Sequence, residues 1–268
     1  GEDIRLNERA LPGHSRLRPQ DLGLLAGLGI TEIPVFKRVR IGIISTGDEI
    51  ISHAQPLTPG KTRNINSITI GALAQQLGVV VADYGIVSDS EESFFSTVEQ
   101  AVRETDLVLF SGGSSVGMRD LGEQAITRLG SPGVLVHGVA LKPGKPIIIG
   151  CCGVTPVFGL PGHPVSAAVC FDFFVKPVIH LLSGLNISEQ LPTATIQAVL
   201  KRNINSTAGR LDLIRVRLSL ENGHYQAYPV LGLSGAISSL SRAQGFFLID
   251  EDAQGLHEGT TIEVYPYQ

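Results

Sequence analysis

Apolar positions along this chain fall into short runs alternating with helix-spaced patterns as far as residue 184, and into short runs alone beyond it. Runs rich in branched and aromatic residues at 39–45, 79–85, 107–111, 134–139, 147–150 and 157–160 predict strands, bounded by turn-forming residues. Patterns at 65–77, 91–103, 121–129 and 165–182 predict helices between them. In the first of these, Ile65, Ile68, Leu73 and Leu77 form the apolar stripe, and Gly78 stands where a helix C-terminus is capped. Strands separated by helices of this length predict βαβ units. The fold class is therefore α/β, a mostly parallel sheet with helices on both faces.

After Leu185 the texture changes. Short β-prone stretches at 194–200, 212–220, 225–230, 246–250 and 261–265 follow one another with no long helical pattern between them. Asn222-Gly223 between two of them is a hairpin signal. This tail predicts a small C-terminal β-barrel or sandwich. Residues 1–36 form a lead-in, with a short helix starting near Pro19 and stopping at Gly29 before Pro34 breaks the chain. The expected division is 1–36, 37–185 and 186–268.

With 268 residues, 43% hydrophobic and 17% charged, the chain is long enough for two compact units with a substantial core. A net charge of −4 gives no general attraction to nucleic acid or acidic membranes, so an anionic ligand must be held by local cations and amides. No stretch offers eighteen uninterrupted apolar residues. The longest, 165–182, contains Asp172, Lys176, Pro177 and His180 and reads as a buried helix, so no membrane span is expected. Cys151, Cys152 and Cys170 lack paired metal-ligand spacing and read as reduced core thiols.

Candidate chemistry gathers at strand ends. The segment 107–120, LVLFSGGSSVGMRD, breaks from an apolar strand into Ser111, Gly112, Gly113 and Ser114 and reaches Asp120. Such a turn can aim backbone N–H groups at an anion, beside a carboxylate able to share a divalent cation with a phosphate; an ordinary strand-to-helix turn is the plain alternative. The segment 41–49, IGIISTGDE, repeats the pattern, and 141–146, LKPGKP, sets Lys142 and Lys145 in a Pro/Gly frame. Another turn, 159–167 (GLPGHPVSA), leads into the long helix with Pro161, Gly162, Pro164 and Ser166. In open α/β sheets this edge is where ligands bind.

Taken in order, STGDE, SGGSSVG with Asp120, LKPGKP, GLPGHPVSA, GRLD (209–212) and SGAISSLSRAQGFFLI (234–249) resemble the molybdopterin molybdotransferase family, the group of MoeA and the gephyrin E domain. The resemblance covers nearly the whole chain. It implies a cytosolic enzyme of molybdenum cofactor synthesis that inserts molybdate into adenylylated molybdopterin and releases AMP with Mg²⁺. It also implies a homodimer, and a molybdopterin adenylyltransferase as a partner. Relatives carry a longer N-terminal region, so this chain is expected to be a fragment or processed form. His163 departs from the Asn common in the family's PGNP turn.

By that resemblance Glu49, Asp89 and Asp120 are the catalytic acids and hold Mg²⁺ through oxygen ligands. Ser111, Gly112, Gly113, Ser114, Lys142, Lys145, Pro161, Gly162, Pro164 and Ser166 bind the cofactor. Asp89 reads equally well as the N-cap of the helix at Glu91, and Ser166 as the cap of its own helix. His163 reads as structural. Two other functions stay open: molybdopterin adenylyltransferase, which shares the α/β unit and its SGG turn, and a non-catalytic scaffold.

Overall fold

A computed structural model of the chain describes residues 3–112, 116–186 and 194–267. The strands of the first half are β1 (Arg40–Thr46), the two-residue β2 (Ile50–Ile51) and β3 (Thr62–Arg63), β4 (Val80–Val87), β5 (Leu107–Gly112), β6 (Pro132–His137), β7 (Leu141–Lys142), β8 (Ile148–Cys152) and β9 (Thr155–Leu160). Those of the second half are β10 (Ile196–Leu200), β11 (Ile204–Asn205), β12 (Leu211–Glu221), β13 (His224–Pro229), β14 (Gly245–Ile249), β15 (Gly255–Leu256) and β16 (Thr261–Pro266). The helices are α1 (Pro19–Gly27), α2 (Asn66–Gln76), α3 (Glu91–Glu104), α4 (Val116–Leu129), α5 (Pro164–Leu182) and the short α6 (Ser238–Arg242).

The first sheet has the order β4-β1-β5-β9-β8-β6. Its first four strands run parallel, while β8 is antiparallel to β9, and β6 to β8. Only Gly153 and Val154 separate β8 from β9, too few residues for a parallel crossover. Helices cover both faces. On one, Ile41 and Ile43 of β1 meet Ile70 of α2 and Phe171 and Val175 of α5. On the other, Ile44 and Phe110 meet Phe94 of α3 and Ile126 of α4. Burial on both faces is why β1 and β5 read as continuous apolar runs and not as alternating ones.

By length and apolar composition α5 passes for a membrane span, yet half of its apolar window is buried inside the protein. Val175 and Ile179 belong to the sheet core. Its ladder shifts to π geometry over Phe171–Val175, where Lys176 N–H donates to Phe171 O. Pro177, the next residue, has no N–H to continue the α pattern.

In the second half β12 pairs with β13 and β14, β14 with β16, β16 with β10, and β10 with β13. That closes a five-stranded barrel around Leu200, Val216, Phe247 and Val264. Asn222 and Gly223 join β12 to β13 with φ 48° and 80°, the two positive values a two-residue hairpin requires.

One strand leaves its own unit. β7, in the LKPGKP loop, adds in parallel to β12, with Leu141 opposite Leu211 and Lys142 opposite Asp212. Leu211 N–H donates to Ala140 O at 2.9 Å, and Leu141 packs with Val169 of α5 and Leu213 of β12. The barrel is thereby fastened to the α/β unit at the carboxyl edge of its sheet.

Candidate functional site: a cation-lined cleft between sheet edge and barrel

Local hydrogen bonds set the turns that end the parallel strands. Asn66 Nδ2 donates to Gly162 O at 2.9 Å, holding the PGHP turn, and Asn64 Nδ2 donates to Ser45 Oγ at 2.9 Å. His163 Nδ1 lies 2.9 Å from Ser234 Oγ, and Val165 N–H donates to Ser234 O at 3.1 Å. His163 thereby ties this turn to a loop of the barrel, and it also lines the cleft described next. Ser166 makes no capping bond; it is buried and lines the cleft, which removes the reading of it as a helix cap. Beneath the LKPGKP loop Cys170 Sγ donates to Gly144 O at 3.4 Å. All three cysteines are free, and burial pushes the Cys170 thiol up to about 12.

These turns and the barrel enclose a cleft of about 930 Å³, within the size range of small-molecule sites. Its α/β wall includes Gly112, Lys142, Lys145, Pro161, Gly162 and Ser166 from the sequence-derived set. Ser111 and Pro164 are buried behind that wall, and Gly113 and Ser114 lie outside the described residues. The barrel wall adds Arg202, Arg210 and Arg215, which sequence reasoning missed as cleft residues. With the two lysines they set, among the described residues, five cations against one lining carboxylate, Asp212. A chain that is acidic in sum thus focuses positive potential in one place.

Lys142 has an acidic neighbour that the sequence did not reveal: Nζ lies 3.9 Å from Asp212 Oδ2. Asp212 is 1% exposed and accepts from Arg210 Nε at 2.7 Å and from Arg210 Nη2 at 3.3 Å. Lys145 is exposed at the cleft. Arg215 is buried, its Nε has no hydrogen-bond partner among the described residues, and burial draws its guanidinium below the usual value. Thr46 Oγ1, also lining the cleft, is likewise buried with no partner among the described residues.

The acids gather less completely. Asp48 N–H donates to Asp89 Oδ2 at 3.3 Å, and Asp89 N–H donates to Asp48 Oδ1 at 3.2 Å. The Glu49 side chain folds over Gly47, where φ is 133° and an added Cβ would stand 2.9 Å from Oε2. Burial raises the Asp89 pKa, and the charges of Asp48 and Glu49 raise it further, against a backbone hydrogen bond that lowers it. Asp89 Oδ1 is buried with no partner among the described residues. The helix at Glu91 is capped by Ser90 Oγ, which accepts from Ser93 N–H at 3.3 Å, so Asp89 is not its N-cap. Asp120 is exposed in α4 and is not among the residues lining the cleft. Among the described residues no three acid, histidine or cysteine side chains converge to hold a metal, so Glu49, Asp89 and Asp120 are not gathered into one centre.

A mostly parallel α/β unit with a cation-lined cleft at its carboxyl edge, roofed by a closed five-stranded barrel, defines a two-part protein of mixed architecture. Residues 42–181 match the family described as a probable molybdopterin binding domain, and 197–267 match the MoeA C-terminal region, its domain IV. The chain is 34% identical over 273 residues to a putative molybdopterin biosynthesis protein of Methanocaldococcus jannaschii, covering 99% of this chain and 64% of that one. It is 32% identical over 270 residues to a molybdopterin molybdenumtransferase of Haemophilus influenzae, covering 100% and 66%. The solved structure of a MoeA protein from Pyrococcus horikoshii superposes with a TM-score of 0.81 at 34% identity, covering 97% of this chain and 62% of that one. The chain belongs to the MoeA family. It spans a little under two thirds of the length of these relatives.

Proposed function

We propose that this protein acts in molybdenum cofactor biosynthesis as a molybdopterin molybdotransferase, taking adenylylated molybdopterin and molybdate and releasing AMP. The observation that carries the reading is the cleft in which Lys142 and Lys145 of the sheet edge face Arg210 of the barrel. Tetrahedral oxyanions and phosphates are gripped by such charge-assisted hydrogen bonds, and a guanidinium adds a planar fork. The Haemophilus relative carries the name molybdopterin molybdenumtransferase. In this reading residues 37–185 form the pterin-binding unit, 186–268 the barrel, and 1–36 the lead-in.

Mg²⁺ is assigned by family resemblance; in support, Asp89 keeps a buried carboxylate oxygen with no partner among the described residues, a group that a hard cation can satisfy, although the acids do not line the cleft. Glu49 and Asp89 would hold it, with Asp120 assigned by family resemblance. When bound, the ion neutralises phosphate charge. The chain's own groups align the oxyanion with its acceptor, and fixed cations oppose the developing negative charge. Homodimerisation, a cytoplasmic location and delivery of substrate by a molybdopterin adenylyltransferase belong to the same proposal.

The test is incubation with adenylylated molybdopterin, Mg²⁺ and molybdate, following AMP and metal content of the pterin. Molybdate-dependent AMP release supports the proposal. AMP transfer from ATP to molybdopterin would instead make the protein the adenylyltransferase.

A further inference from the structure

We infer that Asp212 is a positioning residue: it fixes the Arg210 guanidinium and steers Lys142 toward the anion without touching the anion itself. The inference rests on the reading of the cleft as an oxyanion site and goes beyond it.

A carboxylate in the wall of a site for anions repels the ligand, so its presence calls for another physical reason. The geometry supplies one. Arg210 reaches both Asp212 oxygens, Nε at 2.7 Å and Nη2 at 3.3 Å, which locks the guanidinium plane at two points. Asp212 is 1% exposed, whereas the Arg210 side chain is 33% exposed and lines the cleft. The fork is thus anchored on its buried side and open on the other. Lys142 is held more loosely, at 3.9 Å with its side chain 59% exposed, leaving its ammonium able to turn to a ligand. The register of β7 on β12 places Asp212 directly opposite Lys142, so one carboxylate organises cations from both halves of the molecule.

The sign of the effect separates positioning from plain charge. Asp212→Asn removes a negative charge from an anion site, and electrostatics alone then predicts tighter binding. Loss of positioning predicts weaker binding. The experiment is equilibrium dialysis of molybdate with the full chain, its fold checked by circular dichroism. Asp212→Asn should weaken binding about tenfold, and Asp212→Glu, which keeps the charge but displaces it by a methylene, should weaken it similarly. In an Arg210→Ala background Asp212→Asn should add little further loss. Unchanged or tighter binding by folded Asp212→Asn overturns the inference; wild-type binding by Asp212→Glu does so should the Asn variant not fold. If Lys145→Ala leaves molybdate binding unchanged, the oxyanion reading of the cleft fails instead, and the role of Asp212 with it. If Lys145→Ala weakens binding while neither Asp212 variant does, only the positioning role is lost.

Discussion

Asp48 and Asp89 each accept the other's backbone N–H, so two carboxylates are held close together just past the ends of β1 and β4. Burial and these neighbours raise the Asp89 pKa. A carboxyl whose folded pKa is raised opposes folding when ionised: the penalty is present in full above the folded pKa and fades as pH falls through it towards the ordinary carboxylate range. Asp89→Asn should therefore unfold at a higher temperature than wild type at pH 7, the gap closing as the pH is lowered towards 4. Added Mg²⁺ should raise the wild-type midpoint and leave that of Asp89→Asn unmoved. Thermal unfolding across pH and Mg²⁺ concentration checks both.

Thr46 and Gly112 sit opposite one another across β1 and β5. A Cβ on Gly112 would fall on Thr46 Oγ1. Gly112→Ala should displace the threonine and cost about 1–3 kcal/mol of stability, the range typical of overpacking, read by chemical denaturation. Molybdopterin binding should weaken together with it.

Asp120 is exposed, so its removal leaves the core untouched. Asp120→Ala should abolish molybdate-dependent AMP release with an unchanged unfolding midpoint. Wild-type turnover in that variant removes Asp120 from the mechanism.

Lys145→Ala removes an exposed cleft cation. Loss of one charged contact to a developing charge typically costs about 2–4 kcal/mol, a hundredfold or more in rate. The variant should show that loss in turnover, and a weaker dependence of molybdate affinity on salt.

Leu141 is 5% exposed, packed with Val169 and Leu213 where the two units meet. Leu141→Ala should cost about 2–5 kcal/mol. Because the loss falls at the junction, calorimetry should show the two units unfolding less cooperatively than in the wild type.

Much of this architecture was legible in the sequence because its signals are local. Strand runs such as 107–111 and the Asn222-Gly223 hairpin each depend on a few neighbouring residues. The antiparallel β8–β9 pair departed from the βαβ pattern because only its two-residue connection distinguishes it. β7 was illegible: two residues in a Pro/Gly loop carry no periodicity, and their partner lies some seventy positions away. The same distance hid Arg202 and Arg215, ordinary basic residues until the barrel closes against the sheet edge. Asn64 and Asn66 had a faint signal, two amides just ahead of an apolar helix, but nothing local said which turns they would hold. The family resemblance named Asp120, yet α4 leaves it exposed and apart from the cleft lining.

The pairing of β7 with β12 means that neither half of the molecule owns the proposed anion seat outright. A barrel transplanted from a relative would need a strap that matches its register, or the ammonium and guanidinium groups would no longer aim at a common point. Exchange of parts within this family should therefore succeed when the LKPGKP loop travels with the barrel it grips, and fail when the cut is made between them.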